Sequence, residues 1–280
     1  MLERIGPGAS NAIPALIKAT RRGDVLERRA PLDALAAIAP NDPRVRDILL
    51  KSLRDRRDDV RLFAAEALGT TRDSSRSVID ALEHTFHNDE AMEARLAAAG
   101  ALLEIDPGLG PRLVAPLAEL IELMEADDWQ SPAWAARLLG RIGPDASSVV
   151  AALAGLLVHK YPNVRVAAAE ALARVQPDRK TQSIELLRAL LKHEQPSARL
   201  SAAKTLWRLS PEDATEIAAV ATELLAARDI RPHAVRLLVE MGPAARSILP
   251  RLKQSLESGL NNREGRRAIW EAMEAIQEAK

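Results

Sequence analysis

An all-α superhelix, a solenoid of about eight stacked helical hairpins, is the fold class this sequence predicts, and three spacings predict it. A leucine-type position recurs at Leu35, Leu68, Leu102, Leu139, Leu172, Leu206, Leu238 and Met273, every 32 to 37 residues. Seven residues before it stands an arginine, at Arg28, Arg61, Arg95, Arg165, Arg199, Arg231 and Arg266, with Pro132 interrupting the series. Five residues after it stands a proline, at Pro40, Pro107, Pro144, Pro177, Pro211 and Pro243, with Asp73 interrupting. A fixed period of this length marks supersecondary units that cannot bury their apolar faces alone, so each leans on its neighbour.

Each unit reads as two helices. In residues 145 to 177, Val149, Val150, Leu153, Leu156 and Leu157 recur at helical spacing, and His159 to Asn163 interrupt. Val164, Ala168, Ala171, Leu172 and Val175 then resume the period. Pro162 suits a helix start, while Gln176-Pro177, Gly143-Pro144, Ser210-Pro211 and Gly242-Pro243 suit stops. Four residues before the leucine stand Ala64, Ala98, Ala135, Ala168, Ala202 and Ala234, small enough for two helices to approach closely; Pro31 and Ile269 replace them in the end repeats. The repeats run approximately over 5–38, 39–71, 72–105, 106–142, 143–175, 176–209, 210–241 and 242–280.

Composition bounds what such an array can do. Across 280 residues, 47% are hydrophobic and 28% charged, with 39 Lys+Arg balanced by 39 Asp+Glu. Bulk attraction to nucleic acid or anionic membrane is therefore excluded, and any such binding needs a local patch. The absence of cysteine removes disulfides, thiolate metal sites and cysteine nucleophiles. No signal-peptide core opens the chain, and no later uninterrupted apolar segment of bilayer length is expected, which makes cytoplasmic location the expectation. The expected organisation is one array over 1–280. Leu2 to Pro7 copies Leu139 to Pro144, so the chain opens as if partway through a repeat, which is expected of a piece of a longer array, of a misplaced start or of an end that docks against something.

The segments VRLFAAEAL (60–68), ARLAAAGAL (94–102), VRVAAAEAL (164–172) and ARLSAAKTL (198–206) resemble the second-helix signature of HEAT repeats, specifically the bacterial phycobilisome-lyase HEAT-like type. IGPDASSVVAALAGLL (142–157) and MGPAARSILPRLKQSL (241–256) resemble its turn and first helix. The resemblance covers essentially the whole chain. It implies a right-handed superhelix with first helices outside and second helices on the concave face. It implies little about activity, since that family includes scaffolds, enzyme regulators, bilin lyases and an iron hydroxylase.

Two sets of residues compete for a functional role. The arginine series falls on the same side of its helix as the buried leucine, nearly two turns away, so a structural ladder is expected. Its guanidinium groups should bond the inter-helix turn or acids such as Asp59, Glu93, Asp229 and Glu264. The opposite face holds the positions two before and two after each leucine. There Arg137, Arg141, Arg174, Lys204 and Arg208, with Arg236 beyond them and Trp134 and Trp207 on flanking positions, are the candidate binding residues: a basic band with aromatic anchors. A solvated arginine-rich face with tryptophans wedged between repeats reads equally well. Trp270 is expected to seal the last repeat.

Catalytic signals are missing. His159 and His193 occupy equivalent positions, but the iron hydroxylase of the family implies four His-Glu pairs, and His193-Glu194 is a single pair here. Stacked equivalents also lie about one helix spacing apart, too far to share an ion. No dinucleotide fingerprint, P-loop or nucleophile motif occurs. No metal and no cofactor are expected. The leading expectation is a non-catalytic scaffold that grips a protein partner on its concave face; alternatives are a bilin-lyase-like enzyme or its regulatory subunit, and nucleic-acid binding through the central basic band.

Overall fold

A computed structural model describes residues 11–20, 25–125, 127–257 and 263–278. It is all-helical there, and its helices pair as eight hairpins divided between two compact units, Met1–Ala152 and Leu153–Lys280. The expected copy of the repeat turn at Leu2 to Pro7 lies outside the described residues.

In the first unit the hairpins are α1 (Ile13–Ala19) with α2 (Val25–Ile38), α3 (Pro43–Ser52) with α4 (Asp58–Thr71), α5 (Arg76–Asn88) with α6 (Met92–Ile105), and α7 (Gly110–Leu123) with α8 (Ser131–Ile142). Second helices pack on second helices, α2 on α4, α4 on α6 and α6 on α8. The periodic leucine is why: Leu35, Leu68, Leu102 and Leu139 are fully buried. Each contributes about 1.5 to 3 kcal/mol by leaving water. The alanines at minus four are equally buried, at Ala64, Ala98 and Ala135, and let the helices close up. At the contact of α4 with α6, a Cβ added to Gly69 would lie 2.9 Å from the Ala101 Cα. Nothing larger than glycine fits there.

The second unit repeats the plan. After α9 (Val150–Gly155) come α10 (Pro162–Val175), α11 (Lys180–Leu190), α12 (Pro196–Leu209), α13 (Ala214–Leu224), α14 (Arg231–Met241), α15 (Leu249–Glu257) and α16 (Arg263–Glu278). Its core is one cluster that includes Leu187, Ala202, Leu206, Ile217, Ala234, Leu238, Ile269 and Ile276. Repeat five departs from the continuous first helix that the spacing predicts. 3-10 turns at Gly143–Val149 and Leu156–Val158 flank a helix of 6 residues, because the Gly143-Pro144 turn delays its start and Gly155 weakens its end.

Contrary to the expectation above, the stretch Ser131–Val158 is long and apolar enough by composition to cross a membrane. It is not one rod. A φ of 76° at Gly143 and non-helical angles at Ala146 break it after α8.

Turn chemistry at plus four from the leucine differs among repeats. Asp106, Gln176 and Ser210 are extended there, whereas Gly143 and Gly242 have positive φ with ψ of −142° and −127°, a region open to glycine alone. Arg72 stands at the same position in left-handed geometry, φ 54° and ψ 27°. The neighbouring Asp73 explains why proline is absent there: its carboxylate accepts the Ser75 N–H at 2.9 Å and pairs with Arg46 at 3.1 Å.

Candidate binding surface on the second helices

Helical geometry sets which residues are free. With about 3.6 residues per turn, positions two before and two after a buried leucine point away from it. Arg137, Arg141, Arg174, Arg208, Arg236 and Glu240 are exposed accordingly, Asp33, Glu66 and Lys204 are half-buried, and the exceptions are Gly100 and Glu170, both buried.

The arginine series is engaged elsewhere, at the inter-helix turns. Arg61 donates to the Asp55 carbonyl, Arg165 to the His159 carbonyl and Arg231 to the Leu225 carbonyl, each six residues back, at 3.0, 2.9 and 2.7 Å. Arg95 reaches the Phe86 carbonyl at 2.8 Å. Arg28 bonds Asp55 at 2.9 Å and Arg199 pairs with Glu223. Three of the acids expected from sequence are not the partners, and the side chain of the fourth, Glu264, lies outside the described residues. Asp59, Glu93 and Asp229 are exposed, and Asp55, Asp89 and Glu223 take the guanidinium groups instead, because they sit in the turn or on the neighbouring hairpin where the side chain already points. Arg266 is exposed, and the turn before it lies outside the described residues.

On the first unit the strip carries a groove of about 470 Å³, lined by Arg29, Asp33, Glu66, Glu104, Trp134 and Arg141, with Thr70 on its wall and Ala97, Gly100 and Ala101 giving it depth. Arg29 lies 4.7 Å from the Phe63 ring centre and pairs with Asp33 at 3.5 Å and Glu66 at 3.3 Å. Arg141 approaches Glu104 at 3.9 Å. Burial pushes the Glu66 carboxyl up, Arg29 opposes the shift, and the Asp33 and Glu104 charges add to it. The basic band expected as the binding site does not include this acidic half of the same strip. Its signal was present in sequence, since Asp33, Glu66 and Glu104 occupy the same plus-or-minus-two positions as the arginines.

On the second unit, α10, α12 and α14 pack in succession and present Arg174, Lys204, Arg208 and Arg236. The buried Glu170 carboxylate takes Arg174 at 2.7 Å on one oxygen and Arg208 at 3.0 Å on the other. Two of the expected binding arginines are therefore partly spent on structure. Trp207 is half-buried against the core cluster, which makes it a packing residue, while Trp134 lines the groove of the first unit. Trp270 is 60% exposed and so does not seal the last repeat, and Trp129 is 45% exposed at the turn before α8. Position 270 sits on the outward side of α16, with Ile269, Met273 and Ile276 filling the inward side.

The turn histidines cap backbone. His159 Nδ1 accepts the Tyr161 N–H at 3.3 Å and His193 Nδ1 accepts the Gln195 N–H at 3.1 Å, the job Asp89 does for Ala91 at 2.9 Å in an equivalent turn. Among the described residues no three His, Asp or Glu side chains cluster as metal ligands.

Residues 13–103 and 117–207 match the family model of HEAT repeats. No curated protein matches the sequence. Among solved structures, the chain is similar to YibA of E. coli, at 15% identity over 95% of this chain and 92% of YibA, with a TM-score of 0.51. Lower similarities include an engineered protein, 20% identical over 100% of this chain and 94% of that one, TM-score 0.37. Human deoxyhypusine hydroxylase, crystallised with glycerol, is 20% identical over 99% of this chain and 88% of its own, TM-score 0.34. The likeness to YibA shows the fold alone.

Proposed function

This chain belongs to the HEAT-repeat family, and we propose that it is a non-catalytic scaffold that docks a protein partner on the strip its second helices present. The observation that supports this reading is the groove of the first unit, whose charges of both signs surround small residues and the half-buried Trp134. Small side chains at Ala97, Gly100 and Ala101 let a partner backbone come close, and Trp134 offers a large apolar contact at low entropic cost. Carboxylates at Asp33, Glu66 and Glu104 set against Arg29 and Arg141 select partners by charge register more than they add affinity.

Thr70 gives the test. It is exposed on the groove wall and its hydroxyl donates to the Glu66 carbonyl of its own helix at 3.2 Å, so Thr70→Arg fills the groove without touching the core. Wild-type chain on a matrix should retain specific proteins from native lysate that Thr70→Arg releases, with both chains melting at the same temperature. Identical retention by the two would remove the groove from partner recognition.

A further inference from the structure

A second concavity lies away from that strip, at the turn between α3 and α4. Its volume is about 1180 Å³, and among the described residues five cations line it, Arg28, Lys51, Arg54, Arg56 and Arg57, against the two carboxylates Asp47 and Asp55. The chain as a whole is neutral, so this is a local concentration of charge. Asp55 is already committed. It pairs with Arg28 at 2.9 Å, accepts the Arg57 N–H at 3.1 Å and approaches the Arg57 guanidinium at 3.8 Å. Lys51, Arg54 and Arg56 are exposed, and Asp47 is the other carboxylate among the lining residues. Arg54 also lines a cavity of about 370 Å³ beside His84 and Asn88, so one residue borders both hollows.

We propose that this cavity binds a small ligand carrying two or more phosphate groups. Like charges gathered in a concavity repel one another and focus a positive potential outward, and a multivalent anion relieves both effects. Guanidinium forks match phosphate oxygens in pairs, and Lys51 adds a point charge that tolerates varied geometry. Among the described residues no aromatic side chain lines the cavity, so charge is the feature they offer for selecting a ligand. A free polyphosphorylated metabolite and a polyphosphorylated lipid headgroup share this chemistry.

Inorganic tripolyphosphate, titrated calorimetrically into the full chain at physiological salt, is the probe. It should bind, and Lys51→Glu/Arg54→Glu/Arg56→Glu, three exposed positions, should weaken binding by at least about tenfold. Lys204→Glu/Arg236→Glu on the other unit should bind as wild type does. Independently of any variant, tripolyphosphate should slow acetylation of Lys51 in the wild-type chain relative to Lys253. Vesicles bearing phosphatidylinositol bisphosphate that displace tripolyphosphate would identify a headgroup as the source, and vesicles that do not would identify a soluble ligand. Absence of tripolyphosphate binding, equal binding by the triple variant, or binding confined to duplex DNA would each overturn the proposal.

Discussion

Arg61 grips Asp89 through two hydrogen bonds, Nε at 2.7 Å and one terminal nitrogen at 2.8 Å, while its other terminal nitrogen donates to the Asp55 carbonyl at 3.0 Å. One side chain thus ties the turn of its own hairpin to the turn of the next. Both partners are largely shielded, with 10% and 7% of their side-chain surface exposed. A buried bidentate pair of this kind converts a stack of separate hairpins into a unit that resists sliding.

Removing one partner should be costly. Burial works to raise the Asp89 pKa, but the hydrogen bonds from Arg61 and the Ala91 N–H outweigh it and hold the carboxyl below its ordinary range. Because the folded value is depressed, the pair's contribution is complete above the unfolded pKa of about 3.9 and fades as pH falls through the lower folded value. Asp89→Ala should cost about 3 kcal/mol at neutral pH. Denaturant melts at stepped pH check the sign: the gap between wild type and variant should shrink below about pH 4. A gap that widens there would contradict the pairing.

Arg72 holds left-handed geometry that its Cβ disfavours, and it is exposed. Arg72→Gly should therefore stabilise the chain by about 1 kcal/mol, whereas Gly143→Ala, at φ 76°, should destabilise it. Thermal melts of the two variants should move in opposite directions.

Charge reversal separates structural arginines from free ones. Arg208→Glu sets a second carboxylate beside buried Glu170 and should cost about 1 to 3 kcal/mol, while exposed Arg137→Glu should stay within about 0.5 kcal/mol. Equal melting of the two variants would show that the Glu170 bridge contributes nothing.

The repeat was legible because burial enforces it. Positions such as Leu68 and Ala98 leave the same trace in every hairpin, since each must fill the same gap. Partners that come from the neighbouring hairpin left no such trace. Asp59 looked like the acid for Arg61 by sequence distance, yet two residues along a helix is a rotation of about 200°, and the true acid, Asp89, arrives from the next turn. Glu170 reads in sequence as one more exposed charge, yet it is buried and takes Arg208 from the following repeat. The groove depended on how closely α4 and α6 meet at Gly69, a distance that no single-chain period encodes.

Leucine truncation tests the packing of the array itself. Leu102→Ala, at a fully buried position between neighbouring second helices, should cost about 2 to 5 kcal/mol, measured by urea unfolding. A cost below about 1 kcal/mol would mean that the inter-hairpin core is not where stability resides.

Recognition on the second helices is tested most directly by site-specific labelling, which this chain permits because it contains no cysteine of its own. Thr70→Cys places a thiol on the groove of the strip, and Ser77→Cys places one on the exposed side of first helix α5. With a captured partner bound, maleimide labelling should slow at position 70 and continue unchanged at position 77. Protection at 77 with free labelling at 70 would contradict docking on the second helices.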